Sequence, residues 1–262
     1  MQDYLEYLPS LVIGMARIYP CAILVPAFCF QHIRGLPRHV IVAVMALMPT
    51  PGIHAALQGQ EHSAAMVAGL ILKETALGIL LGVLLAMPFW LFESVGALLD
   101  NQRGALTGGQ INPSLGPDAT PIGHMFKQLA IFLLMVTLGL GVLTQVIWDS
   151  YLIWPATVWL PWPGADGFAV FLGLLGDTFT HMMLYAAPFI AVLLLLEFGV
   201  ALLSLYSPQL QVSSLAMPVK CLAGVAFLLL YLPLLQDLIV GRMSLLADLK
   251  HVLGVMFQGA QS

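Results

Sequence analysis

Five ionisable side chains sit inside long apolar runs: Arg17, Lys73, Glu74, Glu197 and Lys220. A charge in hydrocarbon is expensive, so each must face protein or water. Two kinds of chemistry follow. Acids and bases lining one path could relay protons or ions. Opposite charges could instead pair between helices or with a partner subunit. No chain of Asp, Glu and His shares one helical spacing, so pairing is the plainer reading. Lys73 and Glu74 are neighbours in sequence, about 100° apart on a helix, and are expected to pair poorly with each other.

The histidines, His32, His39, His54, His62, His124, His181 and His251, form neither H-x-x-x-H nor H-E-x-x-H. Those spacings would put two metal ligands on one helical face. No G-x-S-x-G, Walker A or G-x-G-x-x-G occurs. Thr107-Gly108-Gly109-Gln110 has the glycine content of a phosphate loop but not its lysine. An intramembrane enzyme would need a nucleophile or metal constellation, and none is visible. The reading is no catalysis, no cofactor and no metal. Cys21, Cys29 and Cys221 are scattered and apolar-flanked, so they read as small buried hydrophobes.

These residues belong to an oily chain. It has 262 residues, 60% hydrophobic and only 8% charged, with a mean hydropathy of +0.95. A soluble domain carries roughly 25% charged residues. The chain is therefore read as an all-α integral membrane protein. The apolar runs are continuous rather than alternating, which excludes a β-barrel. Net charge is −4 and no basic cluster exists, so nucleic acid is excluded as a partner. The acidic start, MQDYLEYLPS, lacks the basic region of a signal peptide, so the first run is expected to stay as an anchor.

About six long, proline-broken helices are expected. Leu8–Phe30 should break near Pro20 or Pro26. Val40–Leu57 should end its helix early at Pro49-Thr50-Pro51-Gly52. Ala64–Phe92 carries Gly78 and Gly82, a small-xxx-small pair that permits close helix packing. Lys127–Trp148 is the fourth run. An aromatic connector, Asp149–Gly167, follows, and its tryptophans favour a membrane boundary. Phe168–Tyr206 reads as two helices or one kinked helix, and Ala216–Val240 as the last run. The tail, Gly241–Ser262, reads as a short amphipathic helix at the interface, with leucines 245, 246, 249 and 253 on one face. Basic residues alternate between loops and predict an outside N-terminus, with Arg242 and Lys250 of the tail breaking the pattern.

One stretch stands apart. Phe89–Met125 holds six glycines, three prolines and the charges Glu93, Asp100, Arg103 and Asp118. Helix should persist through Asp100 and fail from Gly104. Loops longer than about 12–15 residues are usually functional or disordered. This one is mildly apolar through Ala105, Leu106, Ile111 and Leu115, as a water-excluding constriction would need. Composition leaves open whether it lines a pore, binds a substrate or links helices.

PFWLFESVGALLDNQRG (Pro88–Gly104), followed by INP (Ile111–Pro113), closely resembles the SctT family of type III secretion export proteins. That family includes YscT, SpaR and HrcT and is related to flagellar FliR. LLLLEFGVALLSLYSPQLQV (Leu193–Val212) and AMPVK (Ala216–Lys220) match in the same order, and SYLIWP (Ser150–Pro155) resembles the YscT branch. The match runs from roughly Arg17 to Val240. DNQRG points to the injectisome branch.

The resemblance implies a subunit of a helical, cone-shaped export gate, much of it lifted out of the bilayer plane. Residues 1–160 would be SctR/FliP-like and include the loop. Residues 161–240 would be an SctS/FliQ-like hairpin, and 241–262 an amphipathic tail. The loop would enter the channel as a plug made of Gly104, Ala105, Leu106, Thr107, Gly108, Gly109, Gln110, Ile111, Asn112, Pro113, Ser114, Leu115 and Gly116. Asp100, Asn101, Gln102 and Arg103 would be its anchored root. Ser207, Pro208, Gln209 and Leu210 would form the hairpin loop, near where an SctU-type switch protein wraps. Implied partners are SctR-type and SctS-type subunits, SctU, an SctV-type gate component, membrane lipid, and the effector and needle proteins that pass. Energy would come from an ATPase and the proton-motive force. The implied place is the bacterial inner membrane, multi-pass, within the secretion basal body. The competing expectation is a small secondary transporter working through Arg17, Lys73, Glu74 and Glu197.

Overall fold

In the computed structural model the described residues are 2–30, 33, 35–58, 64–103, 120–159, 167–206, 212–246 and 248–257. Among them are nine α-helices and no strand: α1 Gln2–Leu24, α2 Leu36–Ala46, α3 Thr50–Leu57, α4 Ala64–Gln102, α5 Pro121–Thr137, α6 Gly141–Ile153, α7 Gly167–Tyr206, α8 Val212–Ser244 and α9 Leu249–Phe257. Four helices are long and apolar enough to cross a membrane, or up to six if each bent pair counts as one span. The all-α, multi-span expectation agrees with this.

The chain forms two compact units. The first comprises Met1–Met87, Met135–Leu175 and Met243–Ser262, and the second Pro88–Leu134 and Gly176–Arg242.

In the first unit α1 packs on α2 and α3 and crosses α4 where side chains vanish. A Cβ at Gly78 would fall 2.2 Å from the Arg17 carbonyl oxygen, and one at Gly82 would lie 3.1 Å from the Cys21 Cα. The small-xxx-small pair thus does what its spacing suggested. The Cys21 thiol donates to the Gly78 carbonyl at 3.0 Å. α1 runs unbroken through Pro20 and stops only before Pro26, where a short 3-10 turn follows. Of the two expected break points the chain uses Pro26 and passes Pro20 without one. Ile18, Cys21 and Ala22 around it are fully buried, and that packing outweighs the lost hydrogen bond. α2 and α3 bend by 65° at the proline cluster, as expected.

The fourth run is two helices rather than one. Gly139, at φ +74°, separates α5 from α6, a left-handed conformation that only glycine adopts cheaply. The tail helix α9 packs on α6. It buries Leu249, Leu253 and Met256, while Leu245 is half exposed and lies before the helix. The expected apolar face is therefore used within the chain. Arg242, expected in the tail, lies in the last turn of α8.

The second unit is built from the end of α4, most of α5 and the α7/α8 hairpin. α7 is one helix through Pro188, and α8 one helix through Pro218 and Pro233. Phe189, with Phe227 and Tyr231 edge-on at 5.1 and 4.7 Å, fills the space between them.

Candidate functional site

The root of the central loop is the C-terminal end of α4. The helix runs to Gln102, and the Arg103 amide still bonds back to the Leu99 carbonyl. Asp100 is fully buried. Its Oδ1 accepts from Arg103 Nη2 at 2.5 Å, and its Oδ2 accepts from the backbone N–H of Ile122 at 2.7 Å. Ile122 lies in the first turn of α5, whose amides have no partner within the helix. A carboxylate there satisfies one of them and complements the helix dipole. Pro121 at the start of α5 lacks an N–H to satisfy.

Two further contacts lie below this tie. A Cβ on Gly96 would sit 2.6 Å from Gly123 Cα, so the two backbones touch. Lys127 Nζ reaches Glu93 Oε1 at 2.5 Å. Glu93, Gly96 and Asp100 follow one stripe of α4 at three- and four-residue steps. They meet Lys127, Gly123 and Ile122 in reverse order. The two ends of the loop are therefore zipped together. Arg103 satisfies Asp100. Asp118, the remaining charge of this stretch, lies outside the described residues. So do all of Gly104–Gly116, and Ser207–Leu210. Asn101 is exposed and Gln102 half-buried.

The charges in the apolar runs sort into separate groups. Arg17 and Glu74 are almost fully buried and form a two-pronged pair, Nε to Oε2 at 2.6 Å and Nη2 to Oε1 at 3.0 Å. Arg17 also donates to Ser150 Oγ at 3.0 Å and the Trp154 carbonyl at 2.9 Å, with its guanidinium 4.0 Å above the Tyr151 ring. Lys73 does pair with Glu74, at 2.8 Å, contrary to the expectation from their angular separation. The Lys73 ammonium is held there by the Ala156 and Val158 carbonyls, which accept from it at 2.8 and 2.9 Å. In the second unit Lys220 pairs with Glu197 at 2.9 Å.

A transport site needs polar groups aimed at a cavity. These charges are aimed at each other. The cavity of about 590 Å³ beside Lys73 has predominantly apolar walls, including Leu72, Ala76, Leu80 and Phe168. The arrangement braces α1, α4 and α6 and offers no relay among the described residues.

Sequence reasoning missed a second hairpin clamp. The Asp177 carboxylate accepts from Arg242 Nη1 at 2.7 Å and its backbone carbonyl from His181 Nδ1 at 2.8 Å, while Arg242 Nε reaches the Tyr185 hydroxyl at 3.3 Å. The i, i+4 spacing of Asp177 and His181 in an apolar run was the available signal. Cys21 is buried as expected, but Cys221 is exposed.

A family model described as bacterial export proteins, family 1, matches residues 8–246. The chain is 32% identical over 218 residues to Yop proteins translocation protein T of Yersinia pestis, covering 83% of each. It is 30% identical over 230 residues to surface presentation of antigens protein SpaR of Salmonella typhimurium, covering 87% of this chain and 85% of the relative. Flagellar biosynthetic protein FliR of Bacillus subtilis is 23% identical over 236 residues, 88% of each.

Proposed function

The chain belongs to the bacterial export proteins, family 1, and on that premise we propose that it is a channel-forming subunit of a type III secretion export gate. It works in the bacterial inner membrane and has no catalysis of its own. Its loop, Gly104–Gly116, is the plug of that channel. The observation that carries this reading is the Asp100 tie. One buried carboxylate joins the helix before the loop to the helix after it. A mere linker needs no such closure. A stopper that must stay in one place does. Glycines let its backbone pack closely, and Leu106, Ile111 and Leu115 exclude water.

Residues 1–160 serve as the SctR-like part and 161–240 as the SctS-like hairpin. SctR-type and SctS-type subunits complete the channel, and SctU-type and SctV-type components act at its entrance. Effector and needle proteins are the cargo. The names of the relatives at 30–32% identity, a translocation protein and a surface-presentation protein, support an export role.

The test is deletion of Gly104–Leu115 in cells that assemble the whole gate. Small-solute leakage across the inner membrane should rise, with the complex still recovered on purification. Unchanged permeability with export intact would sink the plug reading.

A further inference from the structure

Among the described residues, the hairpin helix α8 meets the loop root at Arg103. The Arg103 carbonyl lies 4.0 Å from Cys221 Sγ. Three residues on, at the buried Gly224, a Cβ would fall 2.8 Å from Arg103 Cδ and 3.5 Å from its Cγ. Residues three apart share a helical face, so Cys221 and Gly224 form one shallow seat. The aliphatic stem of Arg103 crosses α8 where there is no side chain, and its head reaches back to Asp100. Leu193 of α7 closes the seat from the other side, 3.8 Å from the same Cβ position. Arg103 Nε is buried there without a hydrogen-bond partner among the described residues. Among the described residues the head bonds to the Asp100 carboxylate, and the stem that carries it lies against Gly224.

We propose that Gly224 is a positioning residue for the loop: it seats Arg103 against α8, so that the hairpin controls whether the loop root is pinned to Asp100. The consequence for gating rests on the plug reading given above. A side chain at position 224 meets the middle of a flexible side chain and not the backbone of another helix. It therefore displaces Arg103 before it displaces α8.

Trypsin cuts after arginine, so the Arg103–Gly104 bond reports the seat directly. The full chain, purified in detergent with its co-expressed partner subunits, is digested as wild type, Gly224→Ala and Gly224→Leu. Cleavage after Arg103 should rise several-fold in Gly224→Leu and less in Gly224→Ala, with the buried Arg17 uncut in both. Unchanged cleavage after Arg103, or a parallel rise after Arg17 in both variants, overturns the proposal. A second arm measures solute leakage in cells for Gly224→Leu, Arg103→Ala and the double variant. Leakage in both singles, and no more in the double, supports one shared pathway. Tight Gly224 variants beside a leaky loop deletion overturn the coupling to the loop. If the loop deletion itself is tight, the plug reading fails, and the seat is decided by the trypsin arm alone.

Discussion

The Asp100 carboxylate and the Ile122 amide, 22 residues apart in sequence, meet at 2.7 Å. That bond closes the base of the loop. Replacing Asp100 by Ala removes two hydrogen bonds to a charged group, each worth about 1.5–3 kcal/mol. Asn keeps an acceptor for Ile122 but loses the charge that holds Arg103. Amide hydrogen exchange at Ile122 should accelerate strongly in Asp100→Ala and weakly in Asp100→Asn. Equal protection in all three proteins would mean that α5 is capped by something else.

The buried Arg17–Glu74 pair predicts a different pattern. Removing one partner strands a charge and costs about 3–5 kcal/mol. Arg17→Met and Glu74→Leu should each lower the melting temperature and the recovered amount of the complex. The double variant should regain part of both, because the buried guanidinium is gone and Lys73, which loses its carboxylate, keeps the Ala156 and Val158 carbonyls. It should also retain export. A proton relay predicts the reverse for function: the double variant would be well folded and inactive.

Gly78 sets how closely α1 approaches α4. Its Cβ position lies 2.2 Å from the Arg17 carbonyl oxygen and 3.0 Å from Arg17 Cα. Backbone, unlike a side chain, has no cheap way to yield. Gly78→Ala should cost about 1–3 kcal/mol through overpacking, and it should disturb Arg17 as well. Gly82→Ala, with its nearest contacts at 3.0–3.2 Å, should cost less. Thermal denaturation of the two variants side by side checks the order.

Much of this protein could be read from the chain itself. Continuous apolar runs with few charges dictate membrane-type helices, because only helices and closed barrels satisfy their backbone without water. The end of α4 before Gly104, the α2/α3 bend and the Gly78/Gly82 contact follow from local residue chemistry. So does the suspicion that falls on the central loop. Partners across space were not legible. The angle between Lys73 and Glu74 says nothing of the carbonyls at Ala156 and Val158, which hold the Lys73 ammonium. Asp100 and Ile122, or Gly224 and Arg103, share no periodicity that would join them. Pro20 carries a strong local signal for a break, and burial overrules it. Propensity and spacing act within a few residues along one helix. Which charge is neutralised, and which glycine makes room for which side chain, is decided where helices distant in sequence meet.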